Sequence, residues 1–139
     1  MTPDGETGCA FCRMSQGRIV HHNELAYAIR DAYRVTPLHT LIIPRRHVPD
    51  YFCLSEVEAV ACNRLLEEAK REIEKIDPRV SGFNIGINVG ETAGQTVFHC
   101  HLHLIPRRKG DVKNPRGGVR HLIPRRGDYV RNKAGDVAG

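Results

Sequence analysis

Residues 99–105 read His99-Cys100-His101-Leu102-His103-Leu104-Ile105, three histidines at a spacing of two with small or apolar residues between them. Side chains of an extended chain alternate faces, so His99, His101 and His103 should share one face with successive Cα atoms about 6.6 Å apart, while Cys100, Leu102 and Leu104 face a core. Three imidazoles on an apolar strand are costly unless wetted, paired or ligated. Two chemistries use such a row. Several imidazoles could ligate a metal ion. Alternatively, one neutral imidazole attacks a phosphate ester near pH 7 and forms a phosphoramidate, dividing a difficult displacement into two easier ones, and a second handles charge or protons at the phosphate oxygens.

A second constellation is Cys9-Ala10-Phe11-Cys12. Two thiolates are half of the four ligands of structural zinc, and no second C-x-x-C completes a ribbon. A redox dithiol or two ordinary thiols are the alternatives, and no βαβ pattern of the thioredoxin kind surrounds the pair. The chain has five cysteines, an odd number, with Cys53, Cys62 and Cys100 in apolar or helical contexts, so a disulfide framework is not expected.

The elements that must position these residues follow from patterning. Arg18–His22 and Leu25–Asp31 read as strands joined at His22-Asn23-Glu24, and Leu38–Ile43 as a buried strand closed by Pro44. Ser55-Glu56-Val57-Glu58 has the capping-box form, and Val57, Ala61, Leu65, Ala69, Ile73 and Ile76 make one apolar stripe, so Ser55–Ile76 is expected as helix, stopped by Asp77-Pro78. Gly82–Val89 and Val97–Ile105 read as further strands around a loop at 91–94. Strands on both sides of a single long helix imply an α+β domain with an antiparallel sheet.

The length of 139 residues suits a single domain, here taken as residues 1–139 with 107–139 a basic Gly/Pro/Arg-rich extension. The net charge of +5 arises mostly there, with ten Lys and Arg beyond position 106 against three Asp, and it favours an anionic partner. No stretch approaches the ~20 apolar residues of a membrane span, and the polar, acidic residues 1–6 do not resemble a secretory signal, so no membrane partner and a cytoplasmic location are expected. Gly82-x-x-x-Gly86 and Gly117-Gly118 are not P-loops. His21, His22 and His121 are expected as surface residues, and Arg45-Arg46 and Arg107-Arg108 as solvated charges.

The segment from Gln95 to Ile105 resembles the signature of the histidine-triad superfamily, His-φ-His-φ-His-φ-φ with φ apolar. Cys9–Cys12, Thr36-Pro37-Leu38-His39, Pro44-Arg45-Arg46-His47 and Asn84–Gly90 look like further landmarks of that family in order, and the resemblance covers roughly residues 9–108. It implies an α+β meander with one long helix and a homodimer sharing its sheet. It also implies that His101 is the nucleophile at the α-phosphate of a purine nucleotide and that His103 contacts the phosphate oxygens. By the same resemblance, Gln95 and Thr96 flank the leaving group, Asp31 binds the ribose, and His39 and Asn88 line the pocket. A metal-binding branch of the family completes the cysteine pair with residues matching His47 and His99, which implies a structural zinc on Cys9, Cys12, His47 and His99. The family usually has Gly before the histidine that matches His39, where this chain has Leu38, and an aliphatic residue where this chain has Cys100.

Gln95-Thr96 resembles the dinucleoside polyphosphate hydrolases, since the phosphoramidase branch usually carries Ser at the second position. Three alternatives stand beside that reading: a nucleoside phosphoramidase, a nucleotidyl transferase, and a nucleic-acid-associated protein using the basic tail. The tail has Tyr129 as its sole aromatic residue, which gives stacking on single strands little support.

Overall fold

The structure is a computed structural model, and it describes residues 8–130. Five strands form one antiparallel sheet: β1 (Ile19–His22), β2 (Ala26–Arg30), β3 (Thr40–Pro44), β4 (Val80–Gly86) and β5 (Leu102–Arg108), in the order β1-β2-β3-β5-β4. Among the described residues a single α-helix, α1 (Glu56–Ile76), lies between β3 and β4 in the chain. The α+β class, the one long helix and the antiparallel sheet are as the patterning implied.

Helix α1 begins where the capping box places it. Ser55 Oγ accepts from the Glu58 backbone N–H at 3.3 Å, and Glu58 Oε1 accepts from the Ser55 backbone N–H at 2.9 Å. The Glu58 carboxylate also receives two bonds from Arg46, and that guanidinium holds its pKa down at about 2. Arg46 is thus tied to the helix start instead of being simply solvated. The apolar stripe is shifted from the expected one: Ala61, Cys62, Leu65, Ala69 and Ile73 are buried, whereas Val57 and Ile76 at the two ends are 64% and 55% exposed.

Register divides the sheet into two faces. Ala26, Ala28, Ile42 and Leu102 pack with Cys62 and Leu65 of α1, Cys100 and Val48. Leu104 joins Ala69, Ile73 and Val80. The opposite face carries Tyr27, Ile29, Leu41 and Ile43, packed against Phe11, Met14 and Ile19. Leu41 is paired with both Ile29 and His103, so His103 lies on this second face, away from the helix.

Two expected strands have different limits. Val97–Ile105 is not one strand: β5 starts at Leu102, because its neighbours β3 and β4 first reach it at Leu102 and His103. It then runs through Pro106 to Arg108. The β3 pairing stops at Leu104, so Pro106 sits where one flank of β5 has no partner strand and its missing N–H removes no ladder bond there. The strand expected at Gly82–Val89 is Val80–Gly86. Of the basic extension, residues 111–130 fold back with a short 3₁₀ turn, Gly118–Leu122, against β4; Arg131 and Lys133 lie outside the described residues.

Leu38 adopts φ +70°, a left-handed conformation that costs an L-residue roughly 1–2 kcal/mol. The glycine usual at this position in the family that the sequence resembles has a physical reason here. Leu38 offsets part of the strain by packing against the Ala69–Ile73–Val80–Leu104 cluster. Leu38→Gly should therefore stay within about 1 kcal/mol of the wild type, whereas Leu38→Ala, which loses the packing and keeps the strain, should cost about 1 kcal/mol more than Leu38→Gly. Urea denaturation of the two variants checks the order; an alanine variant as stable as the glycine variant would refute it.

Candidate functional site

The three histidines do not act as one row. His101 and His103 face each other with ring centroids 5.3 Å apart. His99 is fully buried and has both nitrogens engaged elsewhere. Cys100, Leu102 and Leu104 are buried, so the alternation of faces holds even though residues 97–101 lie ahead of the regular strand.

The hydrogen bonds assign each tautomer. His101 Nδ1 lies 2.8 Å from the His99 carbonyl oxygen, which only accepts, so Nδ1 carries the proton and Nε2 holds the lone pair. The backbone N–H of Val35 donates to His39 Nδ1 at 3.1 Å, which puts the His39 proton on Nε2. That Nε2–H donates to His103 Nδ1 at 2.9 Å, with Asp31 Oδ2 at 3.4 Å. His103 then carries its own proton on Nε2. Burial, with the neighbouring His101 and His39 adding to it, pushes the His103 pKa down to about 4, and burial also lowers His39 against the pull of Asp31. Both are neutral imidazoles at pH 7. The result is a lone pair on His101 beside an N–H donor on His103, an arrangement suited to attacking phosphorus and to bonding the oxygens around it.

A cavity of about 660 Å³ opens on the His103 side, lined by His39, His103, Asn84 and Asn88 and by apolar side chains of β4, β5 and the C-terminal segment. Asn88 lies on the wall of this cavity. Thr96 is exposed on the loop ahead of the histidines. Gln95 is 3% exposed, and its amide is fully used: it accepts from Gly90 N–H and donates to the carbonyls of Pro49 and Val97. Its side chain clasps the 90–97 loop, whose turn uses Gly94 at φ +95°.

On the other side of His101 sits the second constellation. Cys9 Sγ, Cys12 Sγ, His47 Nδ1 and His99 Nδ1 lie within 4.8 Å of one another. The separations are 3.4 Å for Cys9–His99, 3.2 Å for Cys12–His47, 3.4 Å for Cys12–His99 and 3.2 Å for His47–His99. A tetrahedral zinc with Zn–N of about 2.0–2.1 Å and Zn–S of about 2.3 Å sets its ligand atoms roughly 3.3–3.8 Å apart, so the four residues fit it. His99 Nε2–H donates to the Pro44 carbonyl at 2.7 Å, which aims the Nδ1 lone pair at the cluster, and burial keeps the ring neutral.

Phe11, between the two cysteines, is a residue the sequence did not single out. Its ring meets His99 edge-on at 5.9 Å and His101 at 5.1 Å, so the cysteine loop touches the His101 ring directly. The Tyr27 hydroxyl donates to the Phe11 carbonyl and fixes that loop on the sheet. Nothing in residue type marked either contact; only the place of Phe11 inside C-x-x-C hinted at it. His21, expected on the surface, is only 17% exposed at its side chain and bonds Glu72 at 2.8 Å, sharing that carboxylate with Arg30. Arg107 and Arg108 are likewise engaged, with Asp111 and Asp77.

A profile of the HIT domain matches residues 13–110. The AP-4-A phosphorylase of Mycobacterium tuberculosis is 33% identical over 97 residues, 69% of this chain and 49% of that protein. A bis(5′-nucleosyl)-tetraphosphatase (asymmetrical) of Schizosaccharomyces pombe is 36% identical over 94 residues, 68% of this chain and 51% of that one. This chain therefore spans about half the length of each enzyme. The crystal structure of a Zn-bound histidine triad family protein from Mycobacterium smegmatis superposes with a TM-score of 0.70 at 33% identity, covering 77% of this chain and 80% of that one.

Proposed function

Because the chain belongs to the HIT family, we propose that it cleaves nucleotides at the α-phosphate through a nucleotidyl-histidine intermediate, with dinucleoside polyphosphates as substrates. The observation that carries this reading is the bond from His101 Nδ1 to the His99 carbonyl, which leaves Nε2 as the nucleophilic lone pair. In the first step Nε2 forms a bond to the α-phosphorus, and the bond to the bridging oxygen breaks. The leaving nucleoside polyphosphate departs on that oxygen, with the His103 Nε2–H bonding the phosphate oxygens as charge shifts. In the second step water attacks the phosphorus and the P–N bond breaks, releasing the nucleoside monophosphate and restoring the imidazole.

Asp31 is the acceptor for the ribose hydroxyls, and Asn88 and Thr96 face the phosphate region. Gln95 is a positioning residue, since its amide is committed to the loop that carries Thr96. His39 holds His103 in its donor tautomer. Cys9, Cys12, His47 and His99 hold a structural zinc, which supplies no chemistry to the reaction and ties the N-terminal loop to the histidine segment. The chain acts as a homodimer through its β4 edge, which ends the sheet, and works in the cytoplasm, where thiolate ligands stay reduced. No helix among the described residues is long and apolar enough to cross a membrane.

The relationship to a phosphorylase keeps one second reading in view: inorganic phosphate in place of water as the second nucleophile. A nucleic-acid role has less support, because Arg107, Arg108 and Arg120 of the basic extension are bonded to Asp111, Asp77 and the Gly127 carbonyl. The test is a panel of dinucleoside polyphosphates and adenylated amines, run with and without phosphate and resolved by chromatography. The expected products are a nucleoside monophosphate and the complementary nucleoside polyphosphate, formed equally without phosphate. A nucleoside diphosphate appearing only with phosphate would make the chain a phosphorylase, and no cleavage of any substrate would sink the proposal.

A further inference from the structure

The cavity beside His103 has an outer wall that the HIT match does not reach. The match ends at residue 110, and Val112, Gly118, Val119 and Leu122 line the cavity from beyond it. That wall is a folded piece of chain. Gly117 sits at φ +96° with the Gly127 carbonyl so near that a built Cβ would lie 2.0 Å from its oxygen, so glycine alone lets the two stretches meet. Gly118 packs over Asn84 of β4.

We propose that residues 112–122 close a leaving-group chamber on the His103 side of the nucleophile, and that the chamber takes the second nucleobase of a dinucleoside polyphosphate. This rests on the reading of His101 and His103 as a nucleotidyl-transfer pair.

Position comes first. The cavity is continuous with His39 and His103, the imidazoles on the far side of the nucleophile from Phe11 and the cysteine loop. Size comes next: about 660 Å³ is in the usual range of small-molecule sites, about 300–1,000 Å³, and is ample for a nucleoside. The chemistry of the lining then chooses which part of the leaving group enters. Ile87, Ile105, Val119 and Leu122 offer apolar surface to a ring, while Asn84 offers a polar group at its edge. Neither cation in the lining is a free phosphate anchor. Arg107 gives two bonds to Asp111, at 2.7 and 2.8 Å, which offset its charge, and one to Asn84 at 2.7 Å, and together these hold the planar guanidinium in place. Such a plate suits stacking on a planar base better than holding a phosphate chain. Arg108 is likewise committed to Asp77 and the Pro37 carbonyl. The polyphosphate therefore stays at the mouth, near His101 and His103, and the base goes into the chamber. Val119 and Leu122 are 57% and 79% exposed, apolar surface that a base would cover.

The experiment compares diadenosine triphosphate with adenosine 5′-phosphoramidate, whose leaving group is ammonia and has no base. The Val119→Asp/Leu122→Asp double variant changes two exposed side chains and should fold. Its ratio of kcat/KM for diadenosine triphosphate to that for the phosphoramidate should fall at least about tenfold, mostly through KM. Gly117→Val, which displaces the wall, should lower the same ratio. A ratio within twofold of wild type in both variants, or an equal loss on both substrates, would overturn the chamber while leaving the catalytic reading intact. So would a change from dimer to monomer with the ratio unmoved, because the wall would then be a face between copies. A wild type inactive on both substrates would overturn the catalytic reading, and the chamber with it.

Discussion

His101→Asn is expected to lower kcat by about 10⁴-fold or more, some 5.5 kcal/mol in the barrier, while nucleotide binding stays within a few-fold of wild type. The size of the effect follows from what the substitution deletes. The lone pair on Nε2 exists because Nδ1–H is held by the His99 carbonyl, and an asparagine amide nitrogen has no such lone pair to offer phosphorus. The pocket survives, because the His39–His103 hydrogen bond and the cavity lining do not include the His101 ring. Wild-type enzyme mixed with α-labelled substrate and quenched in alkali should retain a nucleotidyl label on the protein, and the variant should retain none. His103→Gln should still form the label, since it loses only a donor, and should be slower by about 10²-fold. A His101→Asn protein with a tenth of wild-type kcat would remove His101 from its role.

Metal analysis of the wild type should find about one zinc per chain, the stoichiometry of a closed four-ligand site. Cys9→Ser should release that ion. With free zinc at about 1,000 times its Kd, the ion contributes about 4 kcal/mol, so its loss should lower Tm by roughly 10–20 °C. Acid should weaken the site, since it must protonate thiolates and imidazoles to do so. Catalysis should fall more modestly, through Phe11, whose ring rests on both His99 and His101 and sits on the loop that the ion would tether. A chelator should reproduce the variant, and Phe11→Ala should reproduce the loss of activity without the loss of metal. A metal-free wild type that is as stable and as active as the purified protein would show Cys9 and Cys12 to be ordinary thiols.

Local pattern and fixed chemistry account for what the residues alone make legible. A capping box needs only residues three apart, so the start of α1 at Ser55 is legible, and so is its end at Asp77-Pro78. Period-two alternation is likewise local, which is why Cys100, Leu102 and Leu104 face the core as expected although the ladder begins only at Leu102. The metal set is legible only through the family resemblance, since spacing marks the cysteine pair alone, and its four donor atoms lie within 4.8 Å of one another.

Division of labour among the histidines is implied by the family resemblance and is not legible in their alternation, because it depends on which carbonyls and imidazoles the fold brings to each ring. Alternation puts His99, His101 and His103 on a level; the Pro44 carbonyl, 55 residues away in the chain, turns His99 to the cysteines, and His39, 64 residues away, sets the proton on His103. The same holds for Phe11 against His101 and for Val119 and Leu122 beside the cavity, contacts of residues whose types carry no chemical signal. By itself the sequence determined the elements, the residue types and the chemistry open to three spaced imidazoles and two cysteines. Tertiary structure alone decided which nitrogen keeps its lone pair, since a tautomer is chosen by the hydrogen-bond partner across the ring, and that partner comes from a distant part of the chain.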